Sequence, residues 1–170
     1  MDVKTAIGQD SHRFAEPPDA RAREPAAARG RSLLLGGVEF TGAPPLLGNS
    51  DADVVLHALC NAISGITGVN IIGKISDRMC LEEGIEDSAA YVGEAMKYLA
   101  GGRISHVSFS IECAKPFISP RIAEMSENIA RILNIKKLDV GITATSGEGL
   151  TDFGRGLGIQ VFCVITAIFD

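Results

Sequence analysis

Gly48-Asn49-Ser50-Asp51-Ala52-Asp53-Val54-Val55-Leu56-His57-Ala58-Leu59 is the stretch from which the rest of the chain can be read. It has the marks of a helix start. Ser50 is a good N-cap, and Asp53 three residues later completes a capping-box pattern with carboxylates near the positive end of the helix dipole. Leu56, Leu59, Ile63 and Ile66 then fall three and four apart, the spacing of one buried face, which predicts a helix over about 51–67. His57 lies off that stripe. Its neighbours at helical spacing are Asp53, Asn61 and Ser64, so it belongs to a polar face. A histidine shown from the first turns of a helix beside carboxylates suggests metal or phosphate chemistry. On this segment alone, a surface histidine beside a charged cap is the simpler reading.

The chain holds 170 residues, most simply one domain spanning 1–170 with enough length to bury a core. Hydrophobic residues make up 46% and charged ones 22%, the balance of a soluble globular chain. Trp is absent and aromatics are few, so the core must be aliphatic. A net charge of −5 argues against a nucleic-acid-binding surface, which needs clustered Lys and Arg. Cys60, Cys80, Cys113 and Cys163 are widely spaced, with no CxxC pair. That pattern points to buried thiols in a reducing compartment, not to a zinc knuckle or a disulfide scaffold. No apolar run reaches the roughly 18 to 20 residues of a bilayer span, so no membrane partner is expected. A strand is expected almost at the first residue, which leaves no space for a leader peptide and makes a cytoplasmic location the expectation.

Along the chain, residues 3–7 read as a short first strand that ends in Gly8-Gln9-Asp10-Ser11-His12. Residues 15–31, rich in Pro, Ala, Arg and Glu, read as a mobile surface loop whose Arg21, Arg23, Arg29 and Arg31 could reach phosphates. Residues 32–35 and 38–40 form a hairpin about Gly36-Gly37. Residues 71–83 read as irregular and glycine-punctuated. A second helix is predicted over 87–99, a strand over 104–112, and a third helix over about 120–133 with Ile122, Met125, Ile129 and Ile132 on its buried face. Strands at 140–145 and 158–168 complete the order β-β-β-α-α-β-α-β-β, an α+β or mixed α/β architecture in one layer pair.

Two of the three histidines sit near aspartates. Asp10 and His12 alternate at a strand end, and alternate residues share a face, so both side chains can address one site. With His57 they would make an Asp-His-His set with an open fourth position, the pattern of a tetrahedral catalytic zinc site. The competing reading is two unrelated polar spots, because Asp-x-His is common by chance. His106 reads as structural or superficial. A second constellation runs Thr143-Ala144-Thr145-Ser146-Gly147-Glu148-Gly149-Leu150 and on through Phe153-Gly154-Arg155-Gly156. Hydroxyls and glycines after a strand offer donors to phosphate oxygens, Glu148 could hold Mg²⁺, and Arg155 could neutralise a diphosphate. A plain loop is the ordinary explanation of such a turn.

Taken together, Ile7-Gly8-x-Asp10-x-His12-Arg13-Phe14, Leu34 to Gly37, Ser50-Asp51-x-Asp53-Val54-x-x-His57-Ala58-Leu59 and the run from Thr145 to Gly158 resemble the 2-C-methyl-D-erythritol 2,4-cyclodiphosphate synthase family nearly end to end. The resemblance implies a homotrimer of ferredoxin-like α/β sandwich subunits, each a mixed β-sheet with helices packed on one face, and an active site at each subunit interface. It implies Zn²⁺ on Asp10, His12 and His57, and Mg²⁺ or Mn²⁺ on Glu148 and the substrate diphosphate. It casts Asn49, Ser50, Thr145 and Glu148 in catalysis. Substrate contacts would come from these and from Asp10, His12, Asp53, Gly73, Pro116, Thr143, Ala144, Phe153 and Arg155. The cytidine end would lie against the neighbouring subunit, near 113–119 and 143–145.

The implied reaction converts 4-diphosphocytidyl-2-C-methyl-D-erythritol 2-phosphate into the 2,4-cyclodiphosphate with release of CMP. Its phosphate nucleophile is already ionised near neutral pH, so no general base is required. Positioning and charge neutralisation would carry the rate. Three departures stand out. Asn49 replaces a frequent histidine, Ile71 replaces a carboxylate offered to the ribose hydroxyls, and Ile75-Ser76-Asp77-Arg78 stands where a Phe-Pro-x-Thr-Asp segment is usual. The loop at 15–31 is a further addition. The alternatives are a trimeric nucleotide- or isoprenoid-phosphate-binding homologue with lost or reduced turnover, and a zinc phosphodiesterase.

Overall fold

The computed structural model describes residues 1–15 and 30–169. The first strand, β1, runs Asp2–Arg13, well beyond the expected 3–7. Gly8 does not end it; Ala6, Gly8, Asp10 and His12 turn inward from a continuing strand. Next come β2 (Leu33–Leu35) and β3 (Val38–Phe40), a hairpin about Gly36 at φ 61° and Gly37 at φ 72°. Two adjacent positive φ values are what a two-residue hairpin turn demands, and glycine adopts them without steric cost. Of the loop expected at 15–31, only Ala15, Gly30 and Arg31 are described; Arg21, Arg23 and Arg29 lie outside the described residues.

Four helices and three strands follow. They are α1 (Val54–Thr67), α2 (Lys74–Leu81), α3 (Ser88–Lys97), β4 (Arg103–Glu112), α4 (Ile122–Leu133), β5 (Val140–Thr145) and β6 (Gly158–Phe169). The expected order is corrected by one element, since 74–81 within the stretch read as irregular is helical. Only Ser76 and Met79 of α2 are buried, so the segment carries no apolar stripe that periodicity could detect. Local chemistry starts it instead. Gly73 at φ 115° turns the chain, its N–H donates to Ser76 Oγ at 3.0 Å, and the Ser76 hydroxyl donates back to the Gly73 carbonyl at 3.1 Å.

The architecture is α+β on one mixed four-stranded sheet in the order β1-β6-β4-β5. β1 and β6 are antiparallel from Asp2↔Phe169 to Arg13↔Gly158, β4 is antiparallel to β6, and β5 is parallel to β4 after the α4 crossover. Along β6, Ile159, Val161, Cys163, Ile165 and Ala167 are fully buried. The alternate residues Phe162 and Val164 each remain 38% exposed, and Ile7 beside them is 63% exposed. One face of the sheet is therefore the core, and the other is open yet carries apolar side chains. His106 is exposed on β4.

Helix α1 is buried on nearly every side through its first eleven residues, so the expected polar face of His57, Asn61 and Ser64 is enclosed by the fold and does not face solvent. It lies directly on β1. A Cβ placed on Gly8 would come within 2.2 Å of the Ala62 backbone nitrogen and 2.3 Å of the Ala58 carbonyl oxygen. Such contact admits only hydrogen at that position. Gly8→Ala is expected to lower stability by roughly 3 kcal/mol or more. The urea unfolding midpoint measures it, and an unchanged midpoint would contradict the close approach.

Candidate metal centre

The close packing of α1 on β1 determines what stands beside Asp10 and His12. Both side chains leave the inward face of β1, two residues apart, and His57 descends on them from the first turn of α1. His57 Nδ1 lies 3.0 Å from Asp10 Oδ2, His12 Nε2 lies 3.0 Å from the same oxygen, and the two ring nitrogens are 3.2 Å apart. His57 is only 6% exposed, so the reading of a superficial histidine is overturned.

Three such atoms suit an ion held between them. A tetrahedral ion with bonds of about 2.0 to 2.1 Å separates its ligand atoms by about 3.3 Å, close to the spacing observed. The protonation of His12 also fits. Its Nδ1 is 2.6 Å from the Leu47 carbonyl oxygen, which can only accept, so Nδ1 carries the proton and Nε2 offers its lone pair inward. Burial drives the Asp10 carboxyl upward, but hydrogen bonds and charge from His12 and His57 outweigh it and hold Asp10 well below the usual carboxylate range. For His12, burial favours the neutral ring, yet the bond to Asp10 and its charge leave the imidazole pKa raised. No other cluster of three metal-ligating side chains occurs among the described residues. Two imidazoles and a carboxylate form the donor set of a zinc-type site with a position left open.

The centre opens into a cavity of about 320 Å³, whose walls include Asn49, Ser50, Ile72, Gly73, Asp77 and Tyr91. Asn49, Ser50 and Gly73, which the resemblance casts as substrate contacts, line this cavity beside the triad. Asp53 does not. It is wholly buried and is itself the N-cap of α1, the role assigned to Ser50. Its carboxylate accepts from the N–H groups of Gly36, Gly37, Val55 and Leu56 at 2.9, 2.6, 3.1 and 3.1 Å. Three of these donors meet Oδ1 and the fourth meets Oδ2, so the carboxylate is engaged in bracing the fold and does not line the triad cavity. Ser50 instead places its hydroxyl 3.4 Å from His57 Nε2.

The second constellation stands apart from this cavity. Thr143, Ala144, Thr145 and Glu148 are exposed, and none of them lines the wall around the triad. The Thr143 hydroxyl donates to the Phe109 carbonyl at 3.1 Å, and Glu148, at φ 49°, takes a hydrogen bond from Ser146 Oγ. Phe153 borders a separate hollow of about 250 Å³ that touches the other side of His12. Pro116 is half-buried after Cys113, away from the triad cavity. Arg155 is turned onto its own loop, where it pairs with Asp152 at 2.5 Å and approaches the carbonyls of Gly149 and Leu150 at 3.4 and 3.3 Å. In this arrangement it does not face the metal centre.

Sequence reasoning missed several groups around the site. Arg31, expected to reach phosphate, donates to the carbonyls of Gly48, Ser50 and Asn49 at 2.9, 2.5 and 3.2 Å and pairs with Glu86. It clamps the loop that carries Asn49 and Ser50. Tyr91, Cys80 and Asp77 reach the cavity from helices that were unassigned or unconnected to it. Helix α3 matches the helix predicted over 87–99, but its spacing gives no sign that Tyr91 reaches the site. The four thiols are free, with Cys60, Cys113 and Cys163 buried and Cys80 partly so.

The sequence matches the YgbB family over residues 3–168. It is 45% identical over 164 residues to the 2-C-methyl-D-erythritol 2,4-cyclodiphosphate synthase of Chlamydia caviae, covering 96% of this chain and 88% of that protein. Among solved structures, the bifunctional IspDF from Campylobacter jejuni superposes with a TM-score of 0.84 at 24% identity, covering 99% of this chain and 43% of that one. The 2C-methyl-D-erythritol 2,4-cyclodiphosphate synthase from Plasmodium vivax gives a TM-score of 0.76 at 24% identity, with 99% of each chain covered.

The four bonds on Asp53 tie the hairpin to the helix that delivers His57. Asp53→Ala removes an N-cap and strands buried N–H groups, and should cost roughly 3 kcal/mol of stability. Thermal denaturation of the variant measures this; a melting temperature equal to that of the parent would exclude the bracing role.

Proposed function

The chain belongs to the YgbB family, and from that premise we infer that the cavity beside Asp10, His12 and His57 cyclises 4-diphosphocytidyl-2-C-methyl-D-erythritol 2-phosphate in isoprenoid precursor synthesis. The 2-phosphate oxygen attacks the β-phosphorus of the diphosphate. The bond from that phosphorus to the bridging oxygen breaks, and CMP leaves with the electron pair. No proton needs to be removed from the nucleophile, in keeping with a site whose two histidines are engaged by the Leu47 carbonyl and the Asp10 carboxylate. The observation that carries this reading is the convergence of three metal-ligating atoms on the wall of one cavity.

Asp10, His12 and His57 would hold Zn²⁺, which when bound supplies positive charge to the phosphate oxygens as they approach one another. Asn49 and Ser50, held by the Arg31 clamp, are placed on the cavity wall to donate to those oxygens and keep the two phosphates in line. Glu148 stands outside any cluster of three ligands among the described residues, so a Mg²⁺ or Mn²⁺ there would depend on the substrate diphosphate for most of its coordination. Thr143, Ala144, Thr145, Pro116, Phe153 and Glu148 do not border the same subunit's triad cavity, which supports their serving a neighbour's. The open sheet face with Ile7, Phe162 and Val164 supports the same assembly, because contiguous apolar surface of this kind marks an interface. We therefore read the molecule as a homotrimer of one-domain, ferredoxin-like subunits with shared sites.

The cytidine end requires a carboxylate that Ile71 cannot offer, since Ile71 is a buried core residue. Asp77 on α2 lines the cavity together with Gly73 and is the one acidic wall residue outside the triad. It is placed to accept the ribose hydroxyls. Solved relatives include a Plasmodium falciparum IspF described as a CDP complex. In this chain, no helix among the described residues is long and apolar enough to cross a membrane, in keeping with a water-borne substrate and a cytoplasmic setting.

Incubation with the substrate and Mg²⁺ should release CMP together with a cyclic diphosphate, followed by chromatography and phosphorus NMR. CMP with a linear product would mean hydrolysis, and tight binding without CMP would mean a binding protein. His57→Ala should abolish turnover while leaving a three-subunit mass in light scattering; wild-type CMP release by that variant would remove the metal centre from the mechanism. Asp77→Ala should raise KM roughly 10-fold with kcat nearly unchanged, the signature of a lost ground-state contact. An unchanged KM would place the ribose elsewhere.

A further inference from the structure

The second ring nitrogen of His57 leads into a buried polar chain that the reaction does not use. His57 Nε2 lies 2.9 Å from Ser88 Oγ. Ser88 is fully buried at the first residue of α3, outside the cavity wall. Its hydroxyl is in short contact with Asp51 Oδ1, and its backbone N–H donates to Asp51 Oδ2 at 2.9 Å. Asp51 Oδ1 accepts a further bond from the Asp53 N–H at 3.1 Å. Asp51 is thus met by three donors, the environment of an ionised acceptor.

The direction of every proton in this chain follows from that. A carboxylate only accepts, so the Ser88 hydroxyl proton points at Asp51. The Ser88 oxygen then has only lone pairs to offer His57, and Nε2 must carry the ring proton. A neutral imidazole has one such proton, which leaves Nδ1 bare toward Asp10 and His12. The reversed arrangement would take the serine proton away from Asp51 and put an N–H between the two other ligands, where it would exclude a cation. Ser50 Oγ accepts from the Ala52 N–H at 3.2 Å and sits 3.4 Å from Nε2, a second and weaker acceptor for the same proton.

We propose that Asp51 and Ser88 are positioning residues that lock His57 in its Nε2–H form and so present Nδ1 as a ready metal ligand. They do for His57 what the Leu47 carbonyl does for His12. The two histidines are therefore oriented by different means, one by a backbone oxygen and one by a side-chain relay, and only the relay can be removed by substitution. Groups of this kind, outside the ligand set, commonly change metal affinity by about 10- to 100-fold. The proposal rests on the reading of Asp10, His12 and His57 as a metal centre.

The test uses the full-length protein stripped of metal and titrated with zinc against a chromophoric chelator. Ser88→Ala and Asp51→Ala should each weaken zinc binding by about 10- to 100-fold, with the melting of the metal-free protein as the control for folding. Ring-nitrogen NMR of the zinc-loaded wild type should show the His57 Nε2 proton protected from solvent exchange, and Ser88→Ala should lose that protection, a change that general loosening of α3 would not confine to one ring. Zinc affinity within twofold of wild type in both folded variants would overturn the proposal, as would a protected Nε2 proton surviving in Ser88→Ala. Should one variant fail to fold, the same readouts on the other decide. A wild-type protein that binds no zinc would instead overturn the metal centre itself.

Discussion

A single steric constraint underlies the site: α1 rests on β1 at a distance that only the missing side chain of Gly8 permits. The constraint repeats one turn along the helix, where a Cβ on Gly65 would stand 3.0 Å from Ala6 Cβ. Small residues on both partners bring helix and strand backbones together, and Asn61 Nδ2 donates across the gap to the Gln9 carbonyl at 2.9 Å. Two inward residues further along β1 the strand carries Asp10 and His12, and one turn back along α1 the helix carries His57. With the backbones in contact, side chains of ordinary length meet within about 3 Å of one another. A wider spacing would leave three separate polar groups on a strand and a helix, with His57 inside a core that could not satisfy it.

Close packing fixes distance; the loop from Leu47 to Asp53 fixes orientation. Nearly every polar group along it has a defined partner. The Leu47 carbonyl sets the proton of His12, and the next three carbonyls converge on the Arg31 guanidinium. Asp51 takes the Ser88 hydroxyl, and Asp53 binds the hairpin turn and the helix start together. The positive φ values of Gly36 and Gly37 matter here for more than the hairpin. They turn two adjacent N–H groups toward one buried carboxylate, which an ordinary turn would leave pointing apart. Arg31, the hairpin turn and the starts of α1 and α3 therefore all orient the site through seven consecutive residues.

This explains which parts were legible in the sequence. Strong patterns were read correctly: the alternation of Val107, Phe109 and Ile111, the bounds of β5, and the hairpin about Gly36-Gly37. The three metal-ligating side chains were also visible, because strand alternation and helix position are local properties. Two kinds of information were not. A glycine inside a strand has the same letter as a glycine that ends one, and the role of Gly8 is close approach, not termination. Polar residues near a helix start compete for one cap, and choosing Asp53 over Ser50 requires knowing that a hairpin 16 residues upstream brings two more N–H groups to it. Helix α2 was invisible for a third reason: it is held by Gly73 and Ser76 locally and buries too little to be periodic.

The position of the second constellation follows from the topology. Both Asp10 and Thr145 lie toward the ends of strands in one sheet, but β1 and β5 are its opposite edges, with β6 and β4 between them. At the usual spacing of about 4.8 Å between strands, three steps across the sheet amount to some 14 Å, beyond the reach of one phosphate group. Strand order therefore sets the end of β5 apart from Asp10 within one subunit, and only the loop beyond Thr145 returns toward β1, where Phe153 borders a hollow with His12. The open sheet face carries the apolar side chains of Ile7, Phe162 and Val164. On the proposed assembly, a neighbouring copy would cover that face, and the separation of the two half-sites follows from the strand order.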